Sequence, residues 1–293
     1  MAADCARGDA VIFGVHASVR YGLLESLSEA RPLGVSTLQI LPYRRHHAPE
    51  AEELALFRKE RERAGVARLI VHSRFVPSLG SSDSERRRRS VELLSLELAL
   101  AGALGAECYV LHAGAYSTGD SPEAAGLRLA QAVREAVSTA EAAFPILLEN
   151  VPGGGRRMGA DLEDLAGLLE SLRRLGISSG LCLDTAHAWA AGYDVASERG
   201  AEDFLSRAES LAGASSIRLF HLNDTRAERG SRLESHWHWG EGRLSGGVGI
   251  ASLLARAGYE SAAAILETPK EPGADARNLA YVRRLARKRE SGR

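Results

Sequence analysis

Short apolar runs alternate along this chain with longer stretches whose apolar positions recur every three or four residues. The runs are of strand type and the stretches of helix type. Val11–Val15 predicts strand one, ending at His16, and a helix follows over Gly22–Ala30. Val35–Ile40 predicts strand two, which runs into a loop rich in cations and aromatics, Tyr43-Arg44-Arg45-His46-His47. A helix over Ala51–Ala64 stops at Gly65. Ala67–Val71 is strand three, ending at His72, and a helix from about Glu85 to Leu104 stops at Gly105. Cys108–Leu111 is strand four, ending at His112. Ser121-Pro122-Glu123 starts the next helix, with Ser as cap and Pro in the first helical position, running to about Ala143. Pro145–Leu148 is strand five, ending at Glu149, and Gly153-Gly154-Gly155 is a loop before a helix over Asp161–Leu175. Leu181-Cys182-Leu183 is strand six, ending at Asp184, with His187 one turn further on and a helix around Ala201–Leu211. Ile217–Phe220 is strand seven, ending at His221; after a long polar loop, a helix covers Ile250–Ala257. Ala263–Leu266 is strand eight, ending at Glu267; the last helix begins near Asp275, with a frayed basic tail from Arg287.

Such alternation predicts parallel strands joined by helical crossovers, and eight units predict a closed barrel. The expected fold is α/β, a single (β/α)8 TIM barrel over about residues 10–285, with residues 1–293 forming one domain. No Gly-x-Gly-x-x-Gly turn follows strand one, which argues against a dinucleotide fold.

Composition alters this picture little. The 293 residues are 45% hydrophobic and 26% charged, an ordinary globular balance with one large core. A net charge of −1 offers no bulk basicity for nucleic acid, although a local basic surface can suffice. Cys5, Cys108 and Cys182 lack metal-ligand spacing, and the latter two sit in apolar runs as buried free thiols. No apolar run reaches the roughly 18 residues of a membrane span, and no signal sequence opens the chain. The expectation is a cytoplasmic protein.

The candidate chemistry lies at the strand ends. Seven of the eight strands end in His16, His72, His112, Glu149, Asp184, His221 or Glu267. In a barrel these ends converge on the face that carries active sites. Gathering that many carboxylates and imidazoles without compensation costs on the order of several kcal/mol per charged group, and bound cations would compensate. With no Cys among them, the donors suit zinc, manganese or iron. His187, Glu234, His236 and His238 add loop candidates, so the donors exceed the needs of one ion and fit two or three. Adjacent metals suit phosphate-ester hydrolysis.

The segments VHSRF (71–75), LHAG (111–114), LENVPGGG (148–155), LCLDTAHAWAAGYD (181–194), HLNDT (221–225), GSRLESHWHWGEG (230–242) and ILETPK (265–270) resemble the endonuclease IV family, in order and over nearly the whole chain. That family comprises zinc-dependent apurinic/apyrimidinic endonucleases on a TIM barrel. A monomer is expected, and the resemblance implies three Zn2+, with Mn2+ or Fe2+ able to substitute. His72, His112 and Glu149 would hold one ion; Glu149, Asp184, His221 and Glu267 a second; His187, Glu234 and His236 a third. Glu149, Asp184 and Glu267 would be the catalytic carboxylates, and hydroxide would attack the phosphorus 5′ to an abasic site in double-stranded DNA. His16, Arg45, Phe75 and Val76 would contact the DNA.

Three positions depart from the family. Glu234 stands where Asp is usual, Phe75-Val76 where Tyr-Leu forms a wedge into the base stack, and Tyr43–His47 where Asn-x-Arg-x-Trp is typical. One alternative is a sugar isomerase or epimerase on the related barrel, which needs fewer ligands; another is a non-catalytic DNA- or metal-binding module. Arg86-Arg87-Arg88-Arg89 reads as a solvated helix face, His46 and His47 as loop residues, and Trp237 and Trp239 as packing for the site loop.

Overall fold

A computed structural model describes residues 11–290 apart from 46, 245, 257, 258, 260 and 261. Cys5, His46 and the expected helix end at Ala257 lie outside the described residues. The strands are β1 (Ile12–His16), β2 (Thr37–Ile40), β3 (Arg68–His72), β4 (Cys108–His112), β5 (Ile146–Glu149), β6 (Ser179–Asp184), β7 (Ile217–His221) and β8 (Ala263–Leu266). All pair in parallel with their sequence neighbours, and β8 pairs with β1 to close the barrel. The helices are α1 (Leu23–Ala30), α2 (Ala51–Arg63), α3 (Ser84–Leu104), α4 (Pro122–Thr139), α5 (Leu162–Arg174), α6 (Thr185–Ala191), α7 (Glu198–Ala212), α8 (Val248–Leu254) and α9 (Ala274–Glu290). No helix among the described residues is long and apolar enough to cross a membrane.

The two-residue period of a strand explains both the core and the site. Inside the barrel, Ile70, Cys108, Val110, Leu147, Cys182, Leu219, Ala263 and Ile265 form one small apolar cluster. Two residues on from a member of that cluster, on the same strand face, stand His72, His112, Glu149, Asp184, His221 and Glu267. The barrel floor is therefore apolar, and the same parity carries polar side chains to its C-terminal mouth. Gly14 is small for a reason in this interior. A Cβ there would lie 2.4 Å from the Thr37 carbonyl oxygen and 2.7 Å from Ile265 Cδ1. A much larger cluster fills the space between the strands and helices, with Leu38, Ile40, Val71, Tyr109, Leu111 and Leu148 facing outward into it.

Two sequence expectations change. Helix α4 stops at Thr139 rather than near Ala143, because Glu141 adopts a φ of 50° that no helix continues through. Helix α6 is an addition to the expected elements: it is seven residues long and starts directly from Asp184. The Asp184 side chain caps it by accepting the His187 backbone N–H at 2.7 Å. Between β6 and β7 the register shifts at Leu181/Cys182, so that Cys182 pairs with Leu219 and Asp184 with His221. Both strands thus deliver their end residue to the same level.

Candidate metal centre

Glu149 is the centre of the cluster and is fully buried. Its Oε2 lies 3.0 Å from His72 Nε2 and 3.4 Å from His112 Nε2. Its Oε1 lies 3.0 Å from His221 Nδ1 and 3.2 Å from His187 Nδ1. Four strand- or helix-borne imidazoles thus converge on one carboxylate. Burial opposes its charge, but His221, His112 and His187 outweigh that and hold the carboxyl well below its ordinary range.

Among the described residues, donor atoms within 4.8 Å of one another fall into three groups: His72, Glu149 and His221; Asp184, His187 and His236; and Glu149, Asp184, His221 and Glu267. Glu149, His221 and Asp184 each belong to two groups. This donor set fits divalent cations by its chemistry: imidazole and carboxylate atoms only, without thiolate. Cys182 belongs to the apolar floor two residues before Asp184, and burial and the neighbouring carboxylates push its thiol well above the ordinary value.

The protonation pattern shows the same crowding. Burial alone would lower His187 and His221. The carboxylates of Asp184, Glu149 and Glu234 raise His187 to about 10, and those of Glu267, Glu149 and Asp184 raise His221 to about 9. His112 goes the other way. Burial, with His72 and His187 beside it, pushes it down to about 4 despite Glu149.

Buried amides and carbonyls aim these side chains. Asn223 Nδ2 donates to Asp184 Oδ2 at 2.6 Å, and its Oδ1 accepts the Glu267 backbone N–H at 2.8 Å. Asn150 Oδ1 accepts the Asp184 N–H at 2.7 Å, while its carbonyl lies 3.0 Å from His187 Nδ1. The Ser73 carbonyl lies 2.8 Å from His72 Nδ1. A carbonyl only accepts, so both rings carry hydrogen on Nδ1 and present Nε2 to the cluster. Sequence reasoning missed Gln39, Asn150 and Asn223. The one signal available was position: each occupies or follows a strand end.

The remaining candidates lie around the rim. His236 Nε2 is 3.3 Å from His187 Nε2 and 3.5 Å from Asp184 Oδ2. Glu234 is exposed beside His112, on the rim of a cavity that Arg86, Tyr116, Arg156 and Arg157 also line. His238 does not join the cluster or Glu234. It is buried, with Nδ1 3.1 Å from Asn278 Nδ2. Trp239 is buried and donates to the Leu222 carbonyl, while Trp237 stacks under Arg226 at 3.3 Å; both pack the loop.

Phe75 and Val76 are 51% and 62% exposed beyond β3. Arg74 beside them stacks on the Tyr43 and Phe75 rings and donates to the Tyr43 carbonyl. Glu97, buried on α3, accepts from Tyr43 OH, Tyr109 OH and the Arg74 backbone N–H. It thereby ties the loops after β2 and β3 together. His16, Arg20, Arg44, Arg45, Arg74 and Lys270 line a second cavity of about 550 Å³ beside the cluster. In the arginine run, Arg88 and Arg89 pair with Glu85, whereas Arg86 reaches the first cavity.

A family model described as a xylose isomerase-like TIM barrel matches residues 27–287. A probable endonuclease 4 of Nitratidesulfovibrio vulgaris (strain DP4) is 34% identical over 282 residues, covering 94% of this chain and 99% of that protein. The crystal structure of endonuclease IV from Thermus thermophilus superposes with a TM-score of 0.81 at 30% identity, covering 94% and 99% of the two chains. A D-tagatose 3-epimerase-like protein superposes with a TM-score of 0.74 at 20% identity, covering 95% and 99%, a likeness of fold alone. On the strength of the near full-length sequence matches, this chain belongs to the endonuclease IV family of xylose isomerase-like TIM barrels.

Proposed function

We propose that the chain is a metal-dependent apurinic/apyrimidinic endonuclease. It hydrolyses the phosphodiester 5′ to an abasic site in double-stranded DNA, with three zinc ions as its complement. The observation that carries this reading is the overlap of three donor groups through Glu149, Asp184 and His221, more donors than a single-ion sugar isomerase uses. His72, His112 and Glu149 would hold one ion; Glu149, Asp184, His221 and Glu267 a second; His187, His236 and Glu234 a third, with Asp184 within reach of the last two imidazoles. Such ions supply Lewis acidity, lowering the pKa of a water and neutralising charge on a leaving oxygen.

The chain's own residues do the rest. Glu149, Asp184 and Glu267 provide the negative charge that keeps cations adjacent. Asn223 and the His187 backbone N–H each donate to one oxygen of the Asp184 carboxylate, and Asn150 pins the Asp184 backbone, which favours a preorganised ligand. The Phe75–Val76 pair would enter the base stack beside a lesion, as apolar wedges do elsewhere, a reading that its exposure supports. Arg45 and the cations around His16 offer partners to backbone phosphates.

The test is incision of a duplex with one abasic site. Activity should vanish after prolonged chelation and return with zinc, giving 3′-hydroxyl and 5′-deoxyribose-phosphate ends. Sugar epimerisation without DNA cleavage would overturn the proposal.

A further inference from the structure

Among the described residues, β2 is the one barrel strand whose mouth carries no ionisable side chain; Gln39 stands there, paired in register with His16. It is fully buried. Its Nε2 donates to Glu267 Oε1 at 2.6 Å and lies 3.0 Å from His16 Nδ1. Its Oε1 lies 2.9 Å from His221 Nε2. These three contacts leave a single assignment of protons.

An amide NH2 only donates, an amide oxygen only accepts, and an ionised carboxylate only accepts. The Glu267 carboxylate, read as a cation ligand, offers only acceptor oxygens to the amide. Turning the amide over would set two acceptor oxygens at the 2.6 Å separation now spanned by a hydrogen bond. The amide nitrogen therefore faces Glu267 and His16, and the amide oxygen faces His221. It follows that His16 Nδ1 accepts and that its hydrogen sits on Nε2. It also follows that His221 Nε2 carries hydrogen. His221 Nδ1 is then the nitrogen turned to the carboxylates, 3.0 Å from Glu149 Oε1 and 3.3 Å from Glu267 Oε2.

We propose that Gln39 is a positioning residue of the metal centre, fixing His221 as an Nδ1 donor and Glu267 as an Oε2 donor to one shared cation. The same amide keeps His16 as an Nε2–H donor on a side chain lining the cationic cavity, where a substrate phosphate oxygen can accept it. His221 is thereby the odd one of the cluster. His72 and His187 are held through Nδ1–H by the Ser73 and Asn150 carbonyls and present Nε2. Leucine at 39 would leave the His221 Nε2–H and Glu267 Oε1 without partners in a buried place. Glutamate would still accept from His221 but would oppose Glu267.

The inference rests on reading these residues as metal ligands, and the test separates the two. In zinc-loaded protein labelled with 15N-histidine, long-range proton–nitrogen correlation reports the tautomer of each ring. His221 should show Nε2–H with Nδ1 on zinc, His16 Nε2–H, and His72 and His187 Nδ1–H. A His221 spectrum with hydrogen on Nδ1 overturns the proposal without any variant. Gln39→Met and Gln39→Glu should each release one zinc per chain to a competing chelator roughly 10–100-fold faster, the range for lost ligand-orienting partners, with the others unchanged. Gln39→Glu should also keep the His221 tautomer, whereas Gln39→Met should allow mixed tautomers. Wild-type zinc retention and an unaltered His221 spectrum in both variants sink the role of Gln39 alone. Wild-type protein that takes up no divalent cation sinks the parent reading instead.

Discussion

Replacing Glu149 by glutamine tests the centre of this arrangement most directly. The side chain keeps its shape, so the four imidazoles now 3.0–3.4 Å from its oxygens still meet an oxygen or an amide. What is lost is one negative charge in a fully buried position shared by two donor groups. Unit charges 4 Å apart interact with about 4 kcal/mol at an effective dielectric near 20. A neutral amide oxygen remains a weak donor, so the net loss falls to about 2–4 kcal/mol, or roughly 30- to 1,000-fold in cation affinity. Dialysis against graded chelator, followed by elemental analysis, should show Glu149→Gln giving up at least one ion per chain at a correspondingly lower chelator concentration. Abasic-site incision under saturating zinc should fall by about three orders of magnitude or more. Circular dichroism should still report a folded barrel. The reasoning is refuted if the variant holds the wild-type number of ions with the same chelator midpoint and turns over within a few-fold of wild type.

Phe75→Ala should weaken binding to abasic duplex by about tenfold while costing under about 1 kcal/mol of stability, since a half-exposed ring forfeits little burial; a collapse in Tm with unchanged affinity per folded molecule would make Phe75 part of the core. Metal-free protein should lose stability as pH climbs from about 6.5 toward 9–10. His221 and His187 are raised to about 9 and about 10 in the folded chain, so their stabilisation is complete below the unfolded value and gone above the folded one. His112, pushed down to about 4, acts only below that window. Melting curves should show Tm falling over this range without metal, and much less with zinc, whose ligands carry no exchangeable proton at the coordinating nitrogen; a flat or rising metal-free Tm contradicts the assignment. Glu234→Ala should lose one ion per chain and Glu234→Asp should retain it; equal retention in wild type and both variants would place Glu234 outside the third site.

The barrel was legible because seven of its eight strands announced themselves twice, as an apolar run and as an ionisable residue ending it. Parity then made the ends converge: Ile70 and His72, Leu147 and Glu149, Leu219 and His221 share faces two residues apart. The residues that aim the ligands were not legible for a related reason. Gln39, Asn150 and Asn223 do not ionise, and the side chains they hold lie 23 to 228 positions away in sequence. Glu97 offered a clue, a charge among the leucines of α3, but nothing local shows that its partners are Tyr43, Arg74 and Tyr109. His238 misled because spacing places it beside His236, whereas the fold turns it toward Asn278 on α9. Helix α6 was too short for a periodic signal and was written only in its cap, Asp184.

The layering of the mouth explains how one scaffold can serve both a metal-free and a loaded state. Three carboxylates, Glu149, Asp184 and Glu267, stand directly above an apolar floor that cannot solvate them. Their charge must be met from within the ring, and two kinds of positive charge can meet it: protons on the imidazoles, or divalent cations between them. Raised His187 and His221 show the proton solution. Cation uptake displaces those protons, so binding and pH are coupled through the same nitrogen atoms. The exchange needs little movement, because the orienting contacts come from neutral groups. Gln39, Asn150, Asn223 and the Ser73 carbonyl are neutral, so the hydrogen bonds they make need no change of their own charge when a cation replaces a proton. A ring oriented by ionic partners would reorganise each time a proton left. One oriented by amides and carbonyls keeps its geometry, which is what electrostatic preorganisation for phosphate chemistry requires.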